Sequence, residues 1–384
     1  MIIEMRESNL VQNITELKKL PNTWVVKDFK DIVADNSGGN KKLAKTDFLE
    51  LGEIAVVDQG KELIAGFYND LKFAVKTKPP YVVFGDHTRI FKYIDFPFVM
   101  GADGTKVLQP ADNNCNTKYL YYFFLSINVP ETGYNRHFKY LKDLQIPLPP
   151  LPTQQKIASI LDAADTLIQK DKALLAKYDE LTQSLFLDMF GDPLSNNLNF
   201  PFPKIKDFTT VSQGMQIAIK ERHKKNGVNR YKYLTVAYLN GRKEEEYIEN
   251  PRLSVVCNKE EILMIRTGNT GQVVTNVEGV FHNNFFKIDW NRDKLNKIYL
   301  VYFLSNPVIR RNLLKRASTT TIPDLSHGQF YDLNIIVPLL SLQTQFAERV
   351  TKIEQQKAIA QASLEKSEEL FNSLLQKAFK GELM

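Results

Sequence analysis

The side chains best placed to do chemistry in this chain are cations interleaved with aromatic rings. KERHKKNGVNRYKY sets Lys220, Arg222, Lys224, Lys225, Arg230 and Lys232 beside His223, Tyr231 and Tyr233. Lysine and arginine neutralise phosphates, and arginine also pairs with base edges through two donors, so the pattern points to nucleic acid. The alternative reading of the same stretch is a solvated loop. A second basic group, Arg310, Arg311, Lys315 and Arg316, lies on the helical run PVIRRNLLKR and suits contact with a sugar-phosphate backbone. RTGNTGQ combines small residues that let the main chain come close with Arg266, Thr267 and Asn269, whose polar ends can reach bases. The comparable loops of the first half, DQGKEL, GDHTRIFK and MGADGTK, offer Lys61, His87, Arg89 and Lys106. Their charge is balanced, so that assignment rests on symmetry between the halves.

Catalytic motifs find no foothold. KPPYVVFG has the outline of the NPPY loop of amino-methyltransferases, but that loop needs a side-chain oxygen at its first position to accept from the target amine. Lys78 has none, and the segment reads as a turn leading into the strand YVVF. GNTG lacks the Gly-Lys-Ser/Thr ending of a phosphate loop. His87, His137, His223, His282 and His327 show no HExxH or i, i+4 pairing for zinc, and PDLSHGQF has no acidic-x-lysine partner for a nuclease. Cys115 and Cys257 are too far apart for a disulfide framework or a cysteine zinc site, which fits a reducing, cytoplasmic setting. MIIEMRESNL is too polar for a signal peptide, and no apolar run approaches the roughly 18 residues of a membrane span.

The elements that must hold these residues follow from a repeat. LQIPLPPLPTQQKIA at Leu144 and LNIIVPLLSLQTQFA at Leu333 agree at Leu144/Leu333, Ile146/Ile335, Pro149/Pro338, Leu151/Leu340, Gln154/Gln343 and Ala158/Ala347. From Gln154 to Phe190 there is no Pro or Gly, and Ile157, Leu161, Ala164, Ile168, Leu175, Tyr178, Leu185 and Met189 make a heptad seam broken at Asp171 and Thr182. The second copy runs from Gln343 to Phe379 through Phe346, Val350, Ile353, Ala360, Leu364, Phe371, Leu374 and Ala378, broken at Lys357 and Ser367. Each helix has a length of roughly 55 Å, too long for a small domain to bury, so the two seams are expected to bury each other. A domain between them lets the helices run antiparallel.

With 384 residues and 43% hydrophobic content, the chain has enough apolar material for two folded domains. The expected division is a short amphipathic helix over residues 1–20, strand-rich domains over 21–145 and 193–334, and a proline strip with its long helix over 146–192 and 335–384. The β-type runs are EIAVVDQG, KFAVKT, YVVFGD and FPFVMGADG in the first domain and KYLTVAYLNG, EILMIRTGNTG and GVFHNNFFKI in the second, and each domain then ends in an aromatic helix, TKYLYYFFLSI or NKIYLVYFLSN. The fold class is α+β: two strand-rich α/β domains separated by an antiparallel coiled coil, with a pseudo-two-fold internal repeat. From Pro21 to Asp143 there are 16 Lys and Arg against 15 Asp and Glu, and from Asp192 to Asp332 there are 21 against 14. The basic surplus, and with it the stronger sign of a polyanionic partner, is in the second domain.

The paired motifs IPLPPLPTQQKIASILDAADTLI and IIVPLLSLQTQFAERV, the helix ends SLFLDMFGD and SLLQKAFKGEL, and GYNRHFKYLKDLQIPLPP resemble the specificity subunit of type I restriction-modification enzymes. The second strip departs from that pattern by keeping only Pro338 where the first has four prolines. The resemblance implies two target-recognition domains, each reading one half of a bipartite double-stranded DNA target, with the helices as spacer. It implies no cofactor in this chain. Partners would be modification subunits, two of them, methylating adenine with S-adenosylmethionine, and a restriction subunit using ATP and Mg. Gln154, Ile157, Gln343 and Phe346, at the helix starts, are the corresponding partner-binding positions. The rival readings are a stand-alone DNA-binding regulator, a methylation-only assembly and a coiled-coil scaffold that binds protein.

Overall fold

Apolar and aromatic runs punctuated by Gly, Asn and Pro fold here as short strands, because each turn signal ends a strand after a few residues. The computed structural model describes residues 20–133, 135–317 and 323–383. The helix expected over residues 1–20 lies outside them but for Leu20. The chain divides into two compact units, one of residues up to Lys172 together with Gln361 onward, the other of Ala173–Ala360.

The first unit opens with β1 (Val25–Asp28), a one-turn α1 (Phe29–Ile32) and β2 (Val33–Asp35). Six strands follow: β3 (Ile54–Val57), β4 (Gly66–Tyr68), β5 (Tyr81–Gly85), β6 (Phe91–Ile94), β7 (Phe98–Met100) and β8 (Thr105–Pro110). They form an antiparallel sheet of order β2-β8-β5-β6 and a smaller sheet β4-β3-β7, in which β3 and β7 run parallel. KFAVKT is no strand. The Asp70 carboxylate accepts the Lys72 N–H and turns Leu71–Phe73 into a 3-10 helix, leaving only a bridge from Ala74 to Val99. Beyond the sheets come α2 (Thr117–Ser126), α3 (Phe138–Lys142), β9 (Gln145–Leu148) and the long helix α4 (Leu151–Phe190). Pro147 is tolerated in β9 because that strand has a single neighbour, β1.

The second unit repeats this plan. It contains β10 (Thr209–Gln213), β11 (Arg222–His223), β12 (Arg230–Leu234), α5 (Val236–Leu239), β13 (Tyr247–Glu249), β14 (Val256–Cys257), β15 (Ile262–Ile265), β16 (Val273–Val274), β17 (Gly279–Phe281) and β18 (Phe285–Trp290). Then come α6 (Lys297–Ser305), α7 (Pro307–Arg316), α8 (His327–Tyr331) and the long helix α9 (Leu340–Phe379). The antiparallel sheet has order β10-β18-β15-β16, matching β2-β8-β5-β6. The other has order β11-β13-β12-β17-β14, whose β13-β12-β17 core carries one parallel pair, as β4-β3-β7 does. The duplication seen in the helices therefore extends to the sheets, where little sequence identity survives.

Both long helices begin three residues before the expected glutamine, at Leu151 and Leu340. Pro152 is accommodated because the first turn of a helix has no use for its missing N–H. In the first unit Ile157 and Leu161 share a core with Leu375 and Ala378, and Lys172 pairs with Glu368 at 3.3 Å. In the second, Phe186 and Phe190 pack on Phe346 at 5.7 and 5.2 Å, and Lys357 pairs with Asp179. Numbers rise on one helix as they fall on the other, so the pairing is antiparallel in each unit.

The breaks in the two seams are met by partners. Ser367 Oγ donates to Asp171 Oδ2 at 2.8 Å, joining one break of each helix, while the Lys357 break finds Asp179. Thr182, buried, turns its hydroxyl to the Tyr178 carbonyl of its own helix. A polar pair within an apolar seam fixes register, because any slip leaves both groups facing hydrocarbon.

Candidate nucleic-acid interface

In each unit, the turns at one end of the sheets come together. Gly101 N–H bonds the Val57 carbonyl in the first unit, and His282 N–H bonds the Leu234 carbonyl at the same register in the second. One strand further, Asp86 N–H bonds the Gly104 carbonyl, and Arg266 N–H bonds the Asn284 carbonyl. The loops after β3, β5 and β7 therefore correspond to those after β12, β15 and β17.

In the first unit Gln59 gathers DQGKEL, GDHTRIFK and MGADGTK. Its side-chain oxygen accepts the His87 N–H at 3.2 Å, its carbonyl accepts the Thr88 hydroxyl, and its amide packs where a side chain at Gly104 would lie. Buried Lys92 fastens the same loop by donating to the Asp58 and Glu62 carbonyls. Burial pushes its pKa down, against the pull of Asp58 and Glu62. The sequence reading of charge alone missed both Gln59 and Lys92. Of the candidate residues, Lys61 is exposed, Arg89 pairs with Glu131 at 2.9 Å, and Lys106 sits 3.5 Å from Asp35 and over the Phe138 ring.

In the second unit the basic stretch Lys220–Tyr233 separates into two kinds of cation. Arg222 is largely buried, donating twice to the Ile217 carbonyl and pairing with Glu246 at 3.1 Å over the Tyr233 ring. Arg230 is held by Glu249 and Lys232 by Glu245. Glu245 also accepts from Tyr238 and Tyr247, and these bonds, led by that from Lys232, pull its pKa down to about 2. Lys220, Lys224 and Lys225 are exposed and have no carboxylate partner among the described residues. They remain available to phosphates. Arg222, by contrast, ties the strap before β11 to the five-stranded sheet.

The RTGNTGQ loop, after β15, is built around Arg266. Its Nε and Nη2 donate to the two Asp324 oxygens at 2.9 and 2.5 Å, and the Thr267 hydroxyl donates to the same carboxylate. These bonds, that from Arg266 above all, hold the Asp324 pKa below the usual carboxylate range, so the clasp is charged at neutral pH. Gly268 and Gly271 adopt positive φ, Thr270 is buried with its hydroxyl on the Arg266 and Pro323 carbonyls, and Arg310 of α7 donates to the Thr270 carbonyl. Asn269 is partly exposed at the tip. Arg311 and Lys315, on the same helix as Arg310, are exposed without a carboxylate partner among the described residues. His282, in the neighbouring loop, accepts the Asn284 N–H on Nδ1. Burial, then Arg222 and Lys243, lower its pKa, so it is neutral and carries its proton on Nε2.

The four helix-start residues lie elsewhere and face inward. Gln154, Ile157, Gln343 and Phe346 are each 0% exposed, so none offers surface to a partner. Gln154 accepts the Asn116 N–H and donates to the Asn114 and Pro149 carbonyls; Gln343 accepts the Asn296 N–H and donates to the Lys294 and Pro338 carbonyls. All six distances lie between 2.8 and 2.9 Å. On α4 the exposed large apolar residues are Leu167, Leu174, Leu181 and Leu187.

A family model described as type I restriction modification DNA specificity domain matches the chain twice, over residues 21–177 and 198–369. Among solved structures, the S subunit of a type I restriction-modification system from M. genitalium matches with TM-score 0.57 at 15% identity, over 94% of this chain and 98% of that one. An HsdS subunit from Thermoanaerobacter tengcongensis matches at 14% identity over 95% of this chain and 98% of that one, with TM-score 0.40. At these identities the likeness to M. genitalium concerns the fold alone. No helix among the described residues is long and apolar enough to cross a membrane.

Proposed function

The chain belongs to the type I restriction-modification DNA specificity family, whose catalysis lies in partner subunits, and from that premise we propose that each unit binds one half of a bipartite double-stranded DNA target. The observation that carries this is the internal repeat: two sheets of matched topology, each handing over to a long helix through the same glutamine clamp. Two copies of one reader with diverged loops suit two different half-sites. The helical pair acts as the spacer and as the dock for two modification subunits, with Leu174 and Leu181 of the second unit, seven residues apart and exposed, as apolar contact points. S-adenosylmethionine, and ATP and Mg where a restriction subunit joins, belong to those partners.

Methylome sequencing of cells making this chain with its modification subunit tests the reading directly. The expected result is a split motif, two fixed half-sites around a spacer of constant length. A continuous motif, or none, would remove the two-reader assignment. In the second unit, Lys220→Ala, Lys224→Ala and Lys225→Ala together should weaken binding to all duplexes and lower the slope of log K against log salt by about two to three. The triple variant should keep its sequence preference, because phosphate contacts position the protein without reading bases. An unchanged salt slope takes these lysines out of the interface.

A further inference from the structure

We propose that Arg266 reads a guanine in the half-site bound by the second unit, and that Asp324 is its positioning residue. This rests on the DNA-reading function proposed above and adds the base that one side chain selects.

A guanidinium has two edges, each able to make a pair of parallel hydrogen bonds. Asp324 takes one, through Nε and Nη2. The other consists of Nη1, which has no partner among the described residues, and the second hydrogen of Nη2. A fork of two donors needs two acceptors side by side. In the major groove only guanine offers that pair, O6 with N7; adenine sets a donor beside its acceptor, thymine sets a methyl beside its acceptor, and cytosine offers a donor.

The fork is also held still. The Arg266 main chain is fixed by its N–H on the Asn284 carbonyl and by its own carbonyl, which accepts from Leu325 N–H and the Thr270 hydroxyl. The Thr267 hydroxyl holds the clasping carboxylate. With the rotamer set before DNA arrives, little side-chain entropy remains to be lost on binding. Positive φ at Gly268 (+103°) and Gly271 (+77°) keeps the adjoining turn tight and free of bulky side chains.

The counterpart in the first unit cannot do this. At the matched position Asp86 is buried, and its carboxylate accepts the Phe138 N–H at 2.7 Å. The same place in the fold is a closed internal bond in one unit and an arginine with a free edge in the other. Guanine selection by this device is therefore confined to the second half-site.

The test uses the assembled methyltransferase complex and its natural target. Dimethyl sulfate should leave one guanine of the second half-site protected at N7 in the wild-type complex, and Arg266→Ala should restore its reactivity. With target libraries randomised at each position, Arg266→Ala should lose about ten- to hundredfold discrimination at that guanine alone. Asp324→Asn should relax the same position to a smaller extent, and Arg266→Lys should not restore it, since a point charge cannot fill both acceptors. Uniform loss of affinity over all sequences, with the salt slope reduced by about one, would make Arg266 a phosphate contact and overturn the proposal. So would the absence of any protected guanine in that half-site of the wild-type complex, a result that needs no variant to fold. Failure of the underlying reading looks different: no sequence-specific footprint on either half.

Discussion

Gln343→Leu is expected to destabilise the second unit by about 3–6 kcal/mol. The three groups the Gln343 side chain satisfies, the Asn296 N–H and the Lys294 and Pro338 carbonyls, have no other side-chain partner among the described residues, and a buried main-chain group left unpaired costs about 1–3 kcal/mol. Leucine fills the volume and answers none of them. Gln154→Leu should do the same to the first unit, since its three bonds are of the same kind and within 0.1 Å in length. The chain has two tryptophans, Trp24 in the core of the first unit and Trp290 in that of the second, so fluorescence can follow each unit. In a Trp24→Phe background, urea titration of Gln343→Leu should move the Trp290 transition down by about 1–2 M. A shift smaller than 0.3 M would mean that the clamp is ornamental. The clamp explains why glutamine stands at this place in both copies: each reader is joined to its helix there.

The repeat made the helices, their extent and their antiparallel pairing legible in the sequence. A heptad seam is a local signal that survives divergence, because it needs only apolar residues at the right interval. Strand existence was nearly as legible: YVVFG, EILMI and the aromatic helices after the sheets fall where their patterns put them. Pairing was not. The parallel contacts of β3 with β7 and β12 with β17 join residues 43 and 47 positions apart, and nothing in a short strand names its neighbour. KYLTVAYLNG was split for a related reason: the Thr235 hydroxyl accepts the Tyr238 N–H, which starts α5 in the middle of a β-type run.

Charge was the least legible feature, because composition counts cations without their partners. Six basic residues in KERHKKNGVNRYKY look alike in the sequence, yet Glu245, Glu246 and Glu249, some 20 residues on, claim Lys232, Arg222 and Arg230. Glu249 lies on β13, between β11 and β12 in the sheet, and Glu245 and Glu246 lie on the segment that leads into it. The glutamines at the helix starts misled in the opposite direction. The resemblance implied partner contacts at Gln154, Ile157, Gln343 and Phe346, whereas all four are buried and both glutamine side chains are taken up by main-chain groups of their own unit. Their recurrence at the same place in the repeat was the available signal, and it marked a joint.

Inserting four residues into both long helices, at facing positions between Asp171 and Asp179 on α4 and between Lys357 and Ser367 on α9, should change the DNA spacer and leave both half-sites as they are. Four residues add about 6 Å to a helix, close to the rise of one or two base pairs, and a four-residue insertion in a heptad seam is absorbed as a local unwinding. The polar pairs on either side, Asp171 with Ser367 and Asp179 with Lys357, would stay in register with each other. An insertion in one helix alone has no such escape. It must break one of those pairs or loop out, so the single insertion should lower stability, and only the double one should yield a clean new spacer. Methylome sequencing with the modification subunit present reads both outcomes. Altered half-sites at constant spacing would transfer sequence selection to the helices and take the spacing role away from them. If the motif lengthens with its two halves unchanged, the readers act independently of the distance between them, as two copies of one ancestral domain on a common rod should.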